Sequence, residues 1–234
     1  MPRYEYQPYI GKPKEERREM ASASGWVERK RFLFSSHPEL KERLAGLQEI
    51  VRDFQKQYPE LISLSIYGSL IKGYATPESD IDGVIILDEE VQRELQKKNP
   101  QYSPFSMSNF YKALKEKLSL TYAQMSIQLS LIDKKDLLLF VQRGDIPREL
   151  FFLSIGGRKI SQYRKVILDQ LEAMGEQGEE TWRNFGLSLL KWEWGSYNWG
   201  SGGNREMGEK RKKLYPWTIA EAKKYFLHGG DDLH

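Results

Sequence analysis

The chain of 234 residues contains no cysteine. This absence excludes disulfide bonds, thiolate metal sites and a cysteine nucleophile, and it fits a reducing compartment. The three histidines, His37, His228 and His234, are not spaced as metal ligands. The longest apolar runs are as short as Leu137–Val141, and the charged N-terminus lacks the apolar core of a signal peptide. We therefore expect a cytoplasmic protein that does not enter membranes.

The sequence motifs of two large enzyme classes are also missing. There is neither a G-x-x-x-x-G-K-[ST] phosphate-binding loop nor a G-x-S-x-G nucleophile turn. Lysine and arginine number 36 and aspartate and glutamate 33, so the formal net charge is only +3. This charge suits an anionic small ligand such as a nucleotide, whereas a dedicated binder of duplex nucleic acid concentrates more positive charge. We do not expect duplex nucleic acid to be a partner.

The distribution of residue types divides the chain into three regions. Residues 1–24 combine prolines, tyrosines and a charge run, which predicts a mobile or loosely docked arm. Residues 25–150 mix helical and strand patterns, and residues 151–234 are mostly helical in pattern. The fold class expected from these patterns is α+β, with a small mixed sheet followed by a helical subdomain.

Apolar spacing places the individual elements. A helix is predicted from Pro38, which suits the first helical position, to near Tyr58, because leucines recur at helical spacing. We interpret Asp88–Ser108 as a polar connection and Gly195–Gly208 as a glycine-rich loop. The other predicted elements are the strands Leu61–Tyr67, Ile81–Leu87 and Ser126–Ile132, and the helices Asn109–Leu118, Asp133–Gln142, Ser161–Met174, Glu179–Trp194 and Ile219–Leu227.

Two carboxylates stand at the beginning of the second predicted strand. Asp80 and Asp82 are two residues apart, so both side chains point to the same face of an extended chain. Like charges this close repel each other unless a cation neutralises them. Mg²⁺ is typically bound by one or two carboxylates together with the phosphate oxygens of a substrate. The pair therefore predicts a site for Mg²⁺, or for two such ions acting as a clamp.

A glycine and a serine follow the first predicted strand. Gly68 permits a sharp turn and a close approach of backbone N–H groups to a ligand. Ser69 can cap a short helix expected over residues 70–74, and the N-terminus of that helix would favour a triphosphate. Lys72 can add a positive charge there, although a solvated lysine is an equally good interpretation.

The residues from Gly68 to Asp82 contain Gly-Ser, a further glycine at Gly73, and Ser79-Asp-Ile-Asp, in that order. This string resembles the signature of the DNA polymerase β-type nucleotidyltransferase superfamily, and it is most similar to the minimal and aminoglycoside nucleotidyltransferases. The resemblance implies Mg²⁺ ligation by Asp80 and Asp82 and triphosphate contact by Gly68 and Ser69. Lys72 and Ser79 complete the expected nucleotide-binding set. The implied reaction moves a nucleoside monophosphate from an NTP, for which we expect ATP, to an acceptor.

The chain departs from this pattern on the third predicted strand, where the superfamily usually places another carboxylate. The polar face of Ser126–Ile132 offers serines and Gln128, and glutamine cannot take a proton as a base. Two explanations stay open. Asp133 or Asp136 supplies the acid, or the domain is a weak or inactive nucleotide-binding or antitoxin-like module. The acceptor, which could be a small molecule, a protein or an RNA end, also stays open, as do a homodimer and a helical partner protein.

Overall fold

The computed structural model describes residues 38–68, 70, 78–195, 215–227 and 232–233. Within these ranges, the side chains of residues 38–41, 191–195 and 232–233 are not described. The predicted N-terminal arm (residues 1–24) and nearly all of the glycine-rich loop lie outside the described residues.

The centre of the fold is a mixed sheet of five strands in the order β3-β2-β1-β4-β5. The strands are β1 (Leu61–Tyr67), β2 (Ile81–Asp88), β3 (Met125–Ile132), β4 (Leu153–Ile155) and the two-residue β5 (Asp232–Leu233). β1 pairs with β2 and β4 in antiparallel fashion, whereas β3 runs parallel to β2 and β5 parallel to β4. The α+β class with a small mixed sheet is therefore confirmed.

One face of the sheet is covered by helices from the N-terminal part of the chain. These are α1 (Pro38–Gln57) and α3 (Met107–Leu118). A further helix, α2 (Glu89–Lys98), lies between them in the sequence. The apolar stripe of α1 packs against alternate residues of β1 and β2, as its spacing predicts. Burying each such large apolar side chain contributes about 1.5–3 kcal/mol. The stripe comprises Leu44, Leu47, Val51 and Phe54, all of them buried.

The other face is covered over part of its length by helices from the C-terminal part. These are α4 (Lys134–Gln142), α5 (Arg158–Ala173), α6 (Glu176–Gly195) and α7 (Ile219–Leu227). Their core includes Val84 and Ile86 of β2 together with the fully buried ring of Trp182. The sheet therefore separates two hydrophobic cores, one built mainly with N-terminal helices and one with C-terminal helices. No helix in the described part of the chain has the length and apolar character needed to cross a bilayer.

The region Asp88–Ser108 differs from the prediction of a polar connection, because it contains α2. No residue of this helix is buried, and Val91 and Leu95 are its only apolar residues, so its apolar stripe is too short to reveal a helix in a sequence. Its ends carry the signal instead. The Asp88 carboxylate accepts a hydrogen bond from the Val91 N–H at 3.0 Å. The first turn of the helix contains acidic residues and the last turn contains lysines, as the helix dipole favours.

The expected division at residue 150 coincides with no break in the sheet. β4 lies beyond that position, and Leu153 and Ile155 pair with β1. A strand of three residues shows no alternation in a sequence, so this element was not predicted. The division itself stays a prediction.

Candidate active site

The turn that follows β1 is built around Gly68. This residue has a φ of +77°, in the region that favours glycine. An ideal Cβ placed on it would lie 1.9 Å from Oδ2 of Asp82. The backbone at Gly68 therefore comes so close to the Asp82 carboxylate that no side chain fits between them. The group that the Gly68 backbone approaches is the side chain of Asp82, one of the two carboxylates predicted to bind Mg²⁺.

The two carboxylates occupy the beginning of β2. Asp82 is half-buried and pairs with Tyr67 on one side and with Ser126 on the other. Asp80 precedes the strand and is exposed. The strand pairing thus brings Gly68 and Asp82 to one end of the sheet, and Asp80 directly precedes β2 at that end.

Tyr67 lies close enough to both carboxylates for their charges to affect its hydroxyl. Burial raises the pKa of its hydroxyl, and the negative charges of Asp82 and then Asp80 raise it further. The ring is half-buried and lies 5.5 Å, centre to centre, from the ring of Phe152. Sequence reasoning assigned no function to Tyr67, although its place before the glycine identifies it as a neighbour of the site.

The donor set suits a hard divalent cation. Two carboxylates at the beginning of one strand, beside a backbone cradle that a Cβ would fill, match the oxygen ligands that Mg²⁺ takes together with substrate phosphates. Asp80 and Asp82 would hold such an ion. Within the described residues, no group of three or more His, Asp or Glu side chains could hold a metal by itself.

The register of β3 shows where Gln128, which stands in place of the expected third carboxylate, lies relative to Asp82. Ser126 lies beside Asp82, and Gln128 lies beside Val84 on the same face. Ser126 and Gln128 are exposed, so this end of the face is open to a substrate. Gln128 is therefore roughly 8 Å from Asp82 in backbone terms.

The two alternative acids lie at the far end of the same strand. Ile132 pairs with Asp88, which is roughly 20 Å along the strand from Asp82. Asp133 follows Ile132, caps α4 by accepting from the Lys135 N–H, and forms an ion pair with Arg93. Asp136 lies in the first turn of α4. In this arrangement neither side chain can join Asp80 and Asp82 around one ion.

The residue before the carboxylates is also held in place. Nη1 of Arg43, on α1, donates to the Ser79 carbonyl oxygen at 2.8 Å. Ser79 was predicted as a nucleotide-binding residue, and the contact shows its carbonyl engaged with the protein. Arg43 was not singled out from the sequence, because 36 residues separate it from Ser79. Ser69 and Lys72 lie outside the described residues.

Comparison with known families agrees with this geometry. Residues 47–146 match the family model described as "Nucleotidyltransferase domain". This part of the chain is similar to the nucleotidyltransferase domains that the model describes. The resemblance to the polymerase β-type superfamily is thereby confirmed, and it supports nucleotidyl transfer as the general activity. No curated protein and no solved structure matches the chain significantly.

The match places the described carboxylates and the glycine turn inside the nucleotidyltransferase domain. Gly68, Asp80, Asp82 and Gln128 all fall within the matched residues. Members of this family generally use an NTP and a divalent metal. The matched stretch ends before β4, although β4 pairs with β1 in the same sheet.

Proposed function

We propose that the protein is a Mg²⁺-dependent nucleotidyltransferase that moves a nucleoside monophosphate from an NTP, preferably ATP, to an acceptor. The observation that carries the proposal is the approach of the Gly68 backbone to the Asp82 carboxylate at the open end of the sheet. A site that combines two carboxylates with a glycine turn suits a metal–triphosphate complex rather than an uncharged ligand. The absence of cysteine supports a cytoplasmic location as part of this proposal.

In the proposed reaction, an acceptor oxygen attacks the α-phosphorus. A bond forms between that oxygen and phosphorus, and the bond from the α-phosphorus to the oxygen that bridges to the β-phosphate breaks. Pyrophosphate leaves with the electron pair, and the acceptor proton passes to water. A bound divalent metal would neutralise charge on the phosphate oxygens and on the leaving group. The chain contributes mainly by positioning: Asp80 and Asp82 orient the complex, and the turn at Gly68 lets the backbone approach it.

The polar surface of β3 suggests where the acceptor would enter. Ser126 and Gln128 are exposed beside the carboxylates, whereas C-terminal helices bury Ile86 and Ile132 further along the same face. An acceptor that offers hydroxyl groups could hydrogen-bond to this strip. A small molecule, a protein side chain and an RNA end all remain compatible with it.

Pyrophosphate release from an α-labelled NTP with Mg²⁺ tests this proposal. We expect Asp80→Ala/Asp82→Ala to abolish release across a panel of small-molecule, protein and RNA acceptors. Asp136→Ala/Asp145→Ala is the matched control, since it also removes two exposed acids but leaves the site intact. Release that survives the loss of Asp80 and Asp82 would contradict the proposal.

A second candidate is a nucleotide-binding module that has lost transfer. It is favoured by Gln128, which offers no base on the strand where a third carboxylate is expected, and by the position of Asp133 far from the site. Under this candidate, NTP binds in a manner that depends on Asp80 and Asp82, but no acceptor leads to pyrophosphate release. The experiment above therefore separates the two.

A further inference from the structure

The two carboxylates are held in place by different means. Asp82 lies inside the sheet, where pairing with Tyr67 and Ser126 fixes its backbone from both sides. Asp80 lies one residue before β2 begins and is exposed. The strand pairing that fixes Asp82 therefore does not extend to Asp80. A site that needs both carboxylates aligned requires another constraint on the segment that carries Asp80.

Arg43 supplies a contact at that segment. Its Nη1 donates to the carbonyl oxygen of Ser79, the residue directly before Asp80, at 2.8 Å. The peptide group that joins Ser79 to Asp80 is planar, so fixing its oxygen also restricts the direction in which the chain enters Asp80.

The helix that carries Arg43 is itself well anchored. The next residue, Leu44, is 1% exposed and Leu47 is fully buried in the core beneath the sheet. A guanidinium is permanently charged and presents several donors in a rigid plane, so it suits a carbonyl at a fixed position. Through this contact, a helix anchored in the hydrophobic core holds the peptide group directly before the exposed Asp80.

We propose that Arg43 is a positioning residue, which holds the Ser79–Asp80 peptide so that Asp80 and Asp82 can ligate one cation together. This inference rests on the proposed function and adds to it a residue that lies outside the matched family stretch of residues 47–146. Arg43 acts through Asp80 and needs no contact with the substrate.

The test compares Arg43→Ala and Arg43→Lys with Arg52→Ala, a control that removes an exposed arginine from the same helix. Two readouts are measured on the full chain: Mn²⁺ binding, followed by electron paramagnetic resonance, and the Mg²⁺ dependence of pyrophosphate release. Arg43→Ala should weaken Mn²⁺ binding about tenfold and lower kcat by about 10- to 100-fold, because a small displacement of a ligand is costly. The KM for the acceptor should stay near that of Arg52→Ala. Arg43→Lys should show the same changes at about a third of the size, since one donor remains.

A double-variant comparison separates positioning from a general effect on the fold. If Arg43 acts through Asp80, Arg43→Ala should weaken Mn²⁺ binding no further when Asp80→Asn is already present. Equal Mn²⁺ affinity in Arg43→Ala, Arg43→Lys and Arg52→Ala would overturn the inference while leaving the proposed function intact. A wild-type protein that neither binds Mn²⁺ nor releases pyrophosphate would overturn the proposed function, and this inference with it. Should Arg43→Ala fail to fold, Arg43→Lys decides the matter by the same two measurements.

Discussion

Gly68 leaves no room for a methyl group beside the carboxylate of Asp82. An ideal Cβ on Gly68 would lie 1.9 Å from Oδ2 and 2.8 Å from Cγ of Asp82. The φ of +77° at Gly68 adds a second and independent requirement for glycine. The turn and the carboxylate thus constrain each other, which explains why the two halves of the sequence motif occur together.

Replacement of Gly68 should therefore disable the site beyond its effect on stability. Gly68→Ala should lower the free energy of unfolding by about 1–2 kcal/mol through its left-handed backbone, and it should also push the Asp82 carboxylate away. Gly144→Ala is the matched control, because Gly144 has a φ of +82° but nothing within 4 Å of an added Cβ. We expect both variants to lose similar stability in urea unfolding, and only Gly68→Ala to lose nucleotide binding. Full binding by Gly68→Ala would show that the close approach is dispensable.

The pKa of Tyr67 should change with the charge carried by Asp80 and Asp82. Its pKa is raised by burial first and by the charges of Asp82 and Asp80 second. Asp82→Asn should therefore lower the pKa of Tyr67, while burial keeps it above the ordinary tyrosine value. Mg²⁺ bound between the carboxylates should lower the pKa in the same direction. NMR titration of ¹³C-labelled tyrosine measures both effects, and Asp136→Asn should leave the pKa of Tyr67 unchanged.

The same shift contributes to the loss of stability in alkaline solution. The pKa of Tyr67 is higher in the folded state than in the unfolded chain, so its contribution is fully present below about pH 10, the unfolded value. The contribution is lost as pH rises above about 10 through the folded-state pKa. Asp82→Asn should lose less stability over that alkaline interval than the wild type. An identical alkaline loss in both proteins would contradict the coupling between Tyr67 and Asp82.

Replacement of Gln128 by glutamate should leave the fold undisturbed. Gln128→Glu changes the charge but hardly the shape of an exposed side chain on the face that carries Asp82. If the missing acid limits turnover, this variant should raise kcat by about tenfold or more, within the range of general base catalysis. Leu129→Glu is the control, because it adds the same charge at an exposed position on the opposite face. Equal or lower kcat in Gln128→Glu would show that the wild type does not need an acid there.

The buried Arg164 should matter for stability rather than for the site. This fully buried guanidinium donates to the carbonyl oxygens of Leu150 and Phe152 and to Oγ of Ser154. Arg164→Met should lower the free energy of unfolding by about 2–4 kcal/mol, because several buried acceptors lose their donor. Lys165→Met alters the exposed neighbouring residue and should cost less than about 1 kcal/mol. Urea unfolding gives both values, and equal stability of the two variants would contradict the prediction.

Much of the fold could be predicted from periodicity. The helix beginning at Pro38, the strand Leu61–Tyr67 and the helix Ile219–Leu227 occur at or within one residue of the predicted bounds. Each of them carries an apolar pattern that only one kind of element can bury. The exposed helix α2 and the short strand β4 were missed, because α2 has only two apolar residues and three residues are too few to show an alternation in β4.

The candidate site was predictable where its parts are close together in the sequence. Gly68, Asp80 and Asp82 were identified because the motif places them within 15 residues, as counted from Gly68 to Asp82. The contact between Arg43 and Ser79 and that between Tyr67 and Phe152 join distant parts of the chain. No local pattern encodes such contacts, so they follow only from the way in which α1 and β4 pack on β1.

The position of β4 next to β1 limits how the C-terminal half could be exchanged in evolution. This strand lies outside the matched stretch of residues 47–146, yet it pairs with β1, and Phe152 just before it packs against Tyr67 beside the carboxylates. Oγ of Ser154 also lies 3.1 Å from Oγ of the buried Ser65. The C-terminal half therefore cannot be exchanged freely by recombination. Any replacement would have to supply a strand that pairs with β1 and an aromatic ring that packs against Tyr67.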